Sequence, residues 1–132
     1  MKLRYRLFLL LLIFPAVVSA QSTNWAEVET VTVTLSSFEF APETIQIEQG
    51  QAYRFIFVNN SSGGHNFVAR DFFRVAEIAA EDRMKLDNGR IEIESGESVE
   101  VRVMITEPGR YDVHCSHFMH SVFGMTGDII VR

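Results

Sequence analysis

Three residues whose side chains bind soft metals recur at five-residue steps near the C-terminus: Cys115, His120 and Met125. A thiolate and an imidazole both suit copper, and a thioether adds a weak, long axial contact. Two imidazoles, one thiolate and one thioether are the donor set of a type 1 copper site, which exchanges one electron. Three ligands from one loop would leave such an ion open and labile. The second imidazole is therefore sought upstream, and His65, directly after the loop Asn59-Asn60-Ser61-Ser62-Gly63-Gly64, is the residue chosen. Cys115 is the sole cysteine, so no internal disulfide competes for it. A lone cysteine in a secreted chain is a reactive thiol, an intermolecular bridge or a metal ligand, and a buried apolar cysteine is the bland alternative. The matching spacings of His120 and Met125 favour the ligand.

The elements that must position these donors begin after residue 20. Lys2, Arg4 and Arg6 precede the apolar run Leu7 to Val18, and Val18-Ser19-Ala20 ends in small residues. This pattern predicts a secretory signal peptide over 1–20, too short for a membrane span, with the mature chain starting at Gln21. Residues 21–132 are enough for one domain with one core. The first twenty residues hold three of the twelve basic residues and none of the seventeen acidic ones, leaving nine against seventeen, a net charge of −8. Such an acidic surface argues against nucleic acid or an anionic membrane as partner.

Along the mature chain, Val31-Thr32-Val33-Thr34-Leu35, Thr44-Ile45-Gln46-Ile47-Glu48, Arg90-Ile91-Glu92-Ile93-Glu94 and Ser98 to Ile105 alternate apolar and polar residues, the period of half-buried strands. Ala52 to Val58, Arg110 to Cys115 and Thr126 to Arg132 read as further strands. Gln49-Gly50-Gln51, Asp87-Asn88-Gly89 and Ser95-Gly96-Glu97 read as turns, and Glu107-Pro108-Gly109 as a tight turn with Pro then Gly at its centre. Phe38 and Phe40 are expected to plug one end of the core. Phe72, Val75, Ala76 and Ala79 share a helical stripe, so Asp71 to Leu86 is expected to form one short helix capped by Asp71. Seven or eight short strands split by turn residues predict a sandwich or barrel.

The Cys-x4-His-x4-Met spacing of Cys115, His120 and Met125 resembles the ligand loop of cupredoxins, the family of plastocyanin, azurin and the type 1 domains of multicopper oxidases. Phe40 to Val68 resembles the first half of small cupredoxins, in which a strand with an Asn-rich end leads to the first histidine ligand. The resemblance implies an all-β Greek-key β-sandwich with one inserted helix and a single copper held by His65, Cys115, His120 and Met125. It also implies that Asn66 bonds across to the cysteine segment, and that the edge of His120 is the electron exit. Phe118, Met119, Val122 and Phe123 either ring that exit as an apolar patch or pack inside the pole of the sandwich.

His114 and His117 are surplus to this set. A histidine beside the ligand cysteine resembles multicopper oxidases and copper nitrite reductase, but the next one stands two residues after Cys115 rather than one. The chain holds four histidines in all, too few for the paired motifs of an oxidase cluster. We therefore read His114 and His117 as surface or loop histidines. The alternatives are a weak second copper site with Met119 or glutamates, and competition of His117 with His120 for the equatorial position. The reading overall is a periplasmic, monomeric copper protein that is not an enzyme and serves a redox protein partner by Cu(I)/Cu(II) cycling. A copper-tolerance protein that binds or oxidises excess copper is the alternative.

Overall fold

The computed structural model describes residues 22–132, so the expected signal peptide lies outside the described residues. Among the described residues, ten strands form two five-stranded sheets. The first contains β1 (Glu29–Ser36), β2 (Glu39–Ala41), β4 (Ala52–Asn59), β6 (Glu77–Ile78) and β8 (Ser98–Met104), in the order β2-β1-β4-β8-β6. The second contains β3 (Thr44–Ile47), β5 (His65–Val68), β7 (Arg90–Ile93), β9 (Gly109–His114) and β10 (Thr126–Val131), in the order β3-β10-β9-β5-β7. Two of the pairings, β1 with β4 and β10 with β3, are parallel.

Period-two alternation builds the core directly. Val33 lies opposite Phe57, and Phe55 opposite Val101, so all four face inward from the first sheet. Phe67, Ile91, Ile93, Val113 and Ile129 answer from the second, and every one of these nine residues is buried. Burying an aliphatic or aromatic side chain of this size contributes about 1.5–3 kcal/mol, so the two faces hold the sheets together without a disulfide.

The structure has more strands than the alternating pattern announces. The additional ones are β2, β5 and β6. β2 and β6 are three and two residues long, too short to show a period, and β5, His65–Val68, is buried at all four positions and so shows no alternation. The expected helix over Asp71 to Leu86 is broken into three pieces. Helix α1 spans Arg70–Val75 and buries Phe72 and Phe73, and Ala69, with no side-chain cap bond, precedes it instead of Asp71. β6 then pairs with Met104 and Val103 of β8, and a 3-10 helix runs over Ala80–Lys85.

Asp82 shows why the helical stripe fails. Its buried carboxylate accepts from the Arg102 backbone N–H at 3.0 Å, from Arg102 Nε at 2.8 Å and from Lys85 Nζ at 2.6 Å. Burial alone would raise its pKa, but the hydrogen bonds from Arg102 and Lys85 outweigh burial and hold the group below the ordinary carboxylate range. These tertiary bonds to β8 override a local preference for continuous helix. The expected turn at Glu107-Pro108-Gly109 also shifts, because Gly109 is already the first residue of β9.

Candidate metal centre

The site sits at one end of the sandwich, and its geometry starts from Asn59, the last residue of β4. Asn59 is buried, and its Nδ2 donates to the carbonyls of Gly63 at 2.8 Å and Ile93 at 3.0 Å. Its Oδ1 accepts from the Ser61 N–H at 2.9 Å and the Ser61 hydroxyl at 2.8 Å. The Gly/Ser loop therefore has a fixed path, and it delivers His65 to the start of β5 opposite Ile93. Composition alone reads this stretch only as a loop. The signal that marks Asn59 is its place at the end of an aromatic strand, where a buried amide can satisfy several loop groups at once.

Cys115 follows β9, and the chain returns through a tightly wound loop. His120 N–H donates to the His117 carbonyl at 3.1 Å, and Phe123 N–H to the Met119 carbonyl at 3.0 Å. Met125 N–H donates to the His120 carbonyl and Cys115 N–H to the Met125 carbonyl, each at 3.0 Å. The three loop residues singled out from the sequence are thus tied to one another through the backbone. Met125 and Cys115 are fully buried, and His120 is half-buried.

His65, Cys115 and His120 come together. His65 Nδ1 lies 3.1 Å from His120 Nδ1. Cys115 Sγ lies 3.4 Å from His120 Nδ1 and 3.9 Å from His65 Nδ1. A triangle with these sides has a circumradius of about 2.0 Å, close to the about 2.0–2.3 Å of nitrogen and thiolate bonds to late first-row metals. The three donors therefore fit one small soft ion with little rearrangement. Among the described residues, no other group of three His, Cys, Asp or Glu donors is gathered closely enough to hold a metal. Met125 lies buried at the base of the same loop.

The electrostatics suit a metal rather than a proton on the imidazole. Burial, then the nearby His120 and His117 rings, push His65 below the usual histidine range, with Glu92 opposing. Burial pushes the Cys115 thiol up, while N–H groups of Asn66 and His117 act in the opposite direction. A metal must therefore displace the thiol proton, the usual coupling of metal binding to deprotonation.

The expected bond from Asn66 to the cysteine segment is present. Asn66 Oδ1 accepts from Ser116 N–H at 2.7 Å, and Asn66 Nδ2 donates to Ser116 Oγ at 2.9 Å and Glu92 Oε2 at 3.2 Å. The Asn66 backbone N–H also points to Cys115 Sγ at 3.5 Å. One residue thus locks the two segments that carry His65 and Cys115.

Phe38 departs from expectation. Phe40 is buried as a core plug, but Phe38 adopts a positive φ of 63° and is 42% exposed. Its ring meets His120 edge-on at 5.1 Å and Phe123 at 5.3 Å. Phe118 is 91% exposed, Val122 71% and Phe123 62%, so of the two readings for this loop the surface patch is the one realised. His114 is half-buried at the end of β9, where Val68 and Thr126 flank it in the sheet. His117 is no free loop histidine, since its Nε2 pairs with Glu92 Oε1.

Comparison with known proteins agrees with this architecture. Residues 8–131 match the family model described as a cupredoxin-like domain, and the chain belongs to that family. Its cofactor is copper, the metal that the family and this sulfur–nitrogen donor set share. The chain is 29% identical over 109 residues to the copper-resistant cuproprotein CopI of Rubrivivax gelatinosus, a match covering 78% of this chain and 66% of that protein. Auracyanin from Roseiflexus castenholzii superposes with a TM-score of 0.59 at 19% identity, covering 78% of this chain and 96% of that one. The McoA multicopper oxidase of Aquifex aeolicus superposes with a TM-score of 0.63 at 15% identity, but the match spans only 31% of its chain. At these identities the two structures bear on the fold alone.

Proposed function

We propose that the protein is a periplasmic electron carrier, with residues 1–20 as its signal peptide, 21–132 as its copper domain, and His65, Cys115, His120 and Met125 as ligands. The observation that carries this reading is the convergence of His65 Nδ1, Cys115 Sγ and His120 Nδ1 beside an exposed apolar rim. Bound copper supplies one-electron chemistry between Cu(I) and Cu(II). The chain's own part is to hold the donors still, through Asn59, Asn66 and the wound ligand loop, so that little reorganisation accompanies each transfer. His120 meets Phe38, which in turn meets Phe123, and this favours electron exit through the His120 ring edge to a redox protein docked on the rim. Four protein donors leave no open position for substrate, which argues against an enzyme. Among the described residues no helix is long and apolar enough to cross a membrane. The proposed carrier is a monomer, free of the membrane once the signal is cleaved.

The similarity to a copper-resistant cuproprotein supports a second reading, copper tolerance, in which the protein binds or oxidises excess copper. Copper titration followed by voltammetry separates the two. One tightly bound equivalent with a reversible potential supports the carrier. A second equivalent, lost on changing His114 and His117 to Ala, supports tolerance.

A further inference from the structure

A third imidazole stands beside the metal centre without joining it. The ring centroid of His117 lies 5.5 Å from that of His120 and 6.3 Å from that of His65, yet its nitrogens are outside the group formed by His65, Cys115 and His120. His117 is two residues from Cys115 on the same loop. Its ring is held at two points. Nε2 pairs with the Glu92 carboxylate, and Cε1 packs so near Gly64 that a Cβ there would stand 3.3 Å away. The other oxygen of Glu92 accepts from Asn66 Nδ2 at 3.2 Å, so the carboxylate is itself oriented. Glu92 lies on β7 directly opposite Asn66 on β5, a rigid base compared with the loop.

We propose that Glu92 is a positioning residue that withholds His117 from the metal, so that His120 completes the donor trio. Two histidines of one loop, both beside the metal centre, create an ambiguity that spacing alone does not resolve. A charge-assisted hydrogen bond biases such a choice by about tenfold. The choice matters because His120 carries the contact with Phe38 and faces the apolar rim, whereas His117 faces β7. Copper held by His117 would lose the exit that His120 provides. This inference rests on the ligand reading given above.

The test is Cu(II) visible absorption and electron-paramagnetic resonance of the full chain. The variants are Glu92→Ala, Glu92→Val, which keeps strand propensity on β7 should Ala fail to fold, His117→Ala, and the double variant Glu92→Ala/His117→Ala. We expect Glu92→Ala or Glu92→Val to add a second paramagnetic species and shift the thiolate-to-copper band. His117→Ala should keep the wild-type spectrum, and the double variant should return to it, because the competing imidazole is gone. An unchanged spectrum in the Glu92 variants overturns the proposal. So does a double variant that stays altered, since the effect would then run through Asn66. A wild-type protein with no thiolate-to-copper band would instead overturn the ligand reading, and this proposal with it.

Discussion

The Nδ1 atoms of His65 and His120 face each other at 3.1 Å although 55 positions separate them in the chain. Two imidazole nitrogens at that distance either share a proton or share a metal. The Cys115 sulfur, 3.4 Å from one and 3.9 Å from the other, makes the metal the better account.

Replacing Cys115 by Ser removes the thiolate while keeping the size of the side chain. The expected result is loss of the intense thiolate-to-copper absorption, read by visible spectroscopy of the Cu(II) protein. If the colour survives the substitution, Cys115 is not a ligand.

Asn66→Ala removes both side-chain bonds to Ser116 while leaving the donors in place. Loss of such an outer partner typically costs about 10–100-fold in metal affinity. Competition with a chelator of known affinity measures this, and an unchanged constant would mean that the β-sheet alone holds the two segments in register.

Asn59→Ala takes the amide partner from the Ile93 carbonyl and the Ser61 N–H, while the Gly63 carbonyl keeps the Ser61 hydroxyl as a donor. Unsatisfied buried groups cost about 1–3 kcal/mol each, offset where water enters. Denaturant unfolding of the metal-free protein should show a loss of about 2–3 kcal/mol. A loss within experimental error would show that the Gly/Ser loop keeps its path without the amide.

Asp82 makes stability depend on pH in a definite direction. Its folded pKa is depressed by Arg102 and Lys85 against the opposing effect of burial. The ionised form is therefore favoured in the folded state, and its contribution is present above the ordinary carboxylate range. That contribution disappears as pH falls through the depressed folded value. Asp82→Asn should destabilise the protein by about 1–3 kcal/mol at pH 7, and the gap to wild type should narrow in acid. Urea unfolding at both pH values reads the effect, and a gap that stays constant with pH would remove charge from the explanation.

Much of this protein is written locally. The strands from Thr44 and Ser98 show their period in four to seven residues, because alternation is a property of neighbours along the chain. The chemistry of the ligand loop is local as well: Cys115, His120 and Met125 are close enough in sequence for their spacing to state their purpose, and the resemblance to cupredoxins rests on them. Burial on α1 was legible for Phe72, but the end of the helix was not, since Asp82 and Ile78 answer to β8 rather than to their neighbours.

By itself, then, the amino-acid order determined the donor types, an acidic chain with one domain's worth of core, and the period of most strands. Only the tertiary structure decided that Asn59 builds the loop before His65, that Phe38 turns outward onto His120, and that Glu92 pairs with His117. The reason is register. Each depends on a contact between different strands or loops: Asn59 reaches Ile93 of β7, Phe38 between β1 and β2 meets the ligand loop, and Glu92 on β7 stands opposite Asn66 on β5. No local period encodes that alignment, which the whole core settles at once.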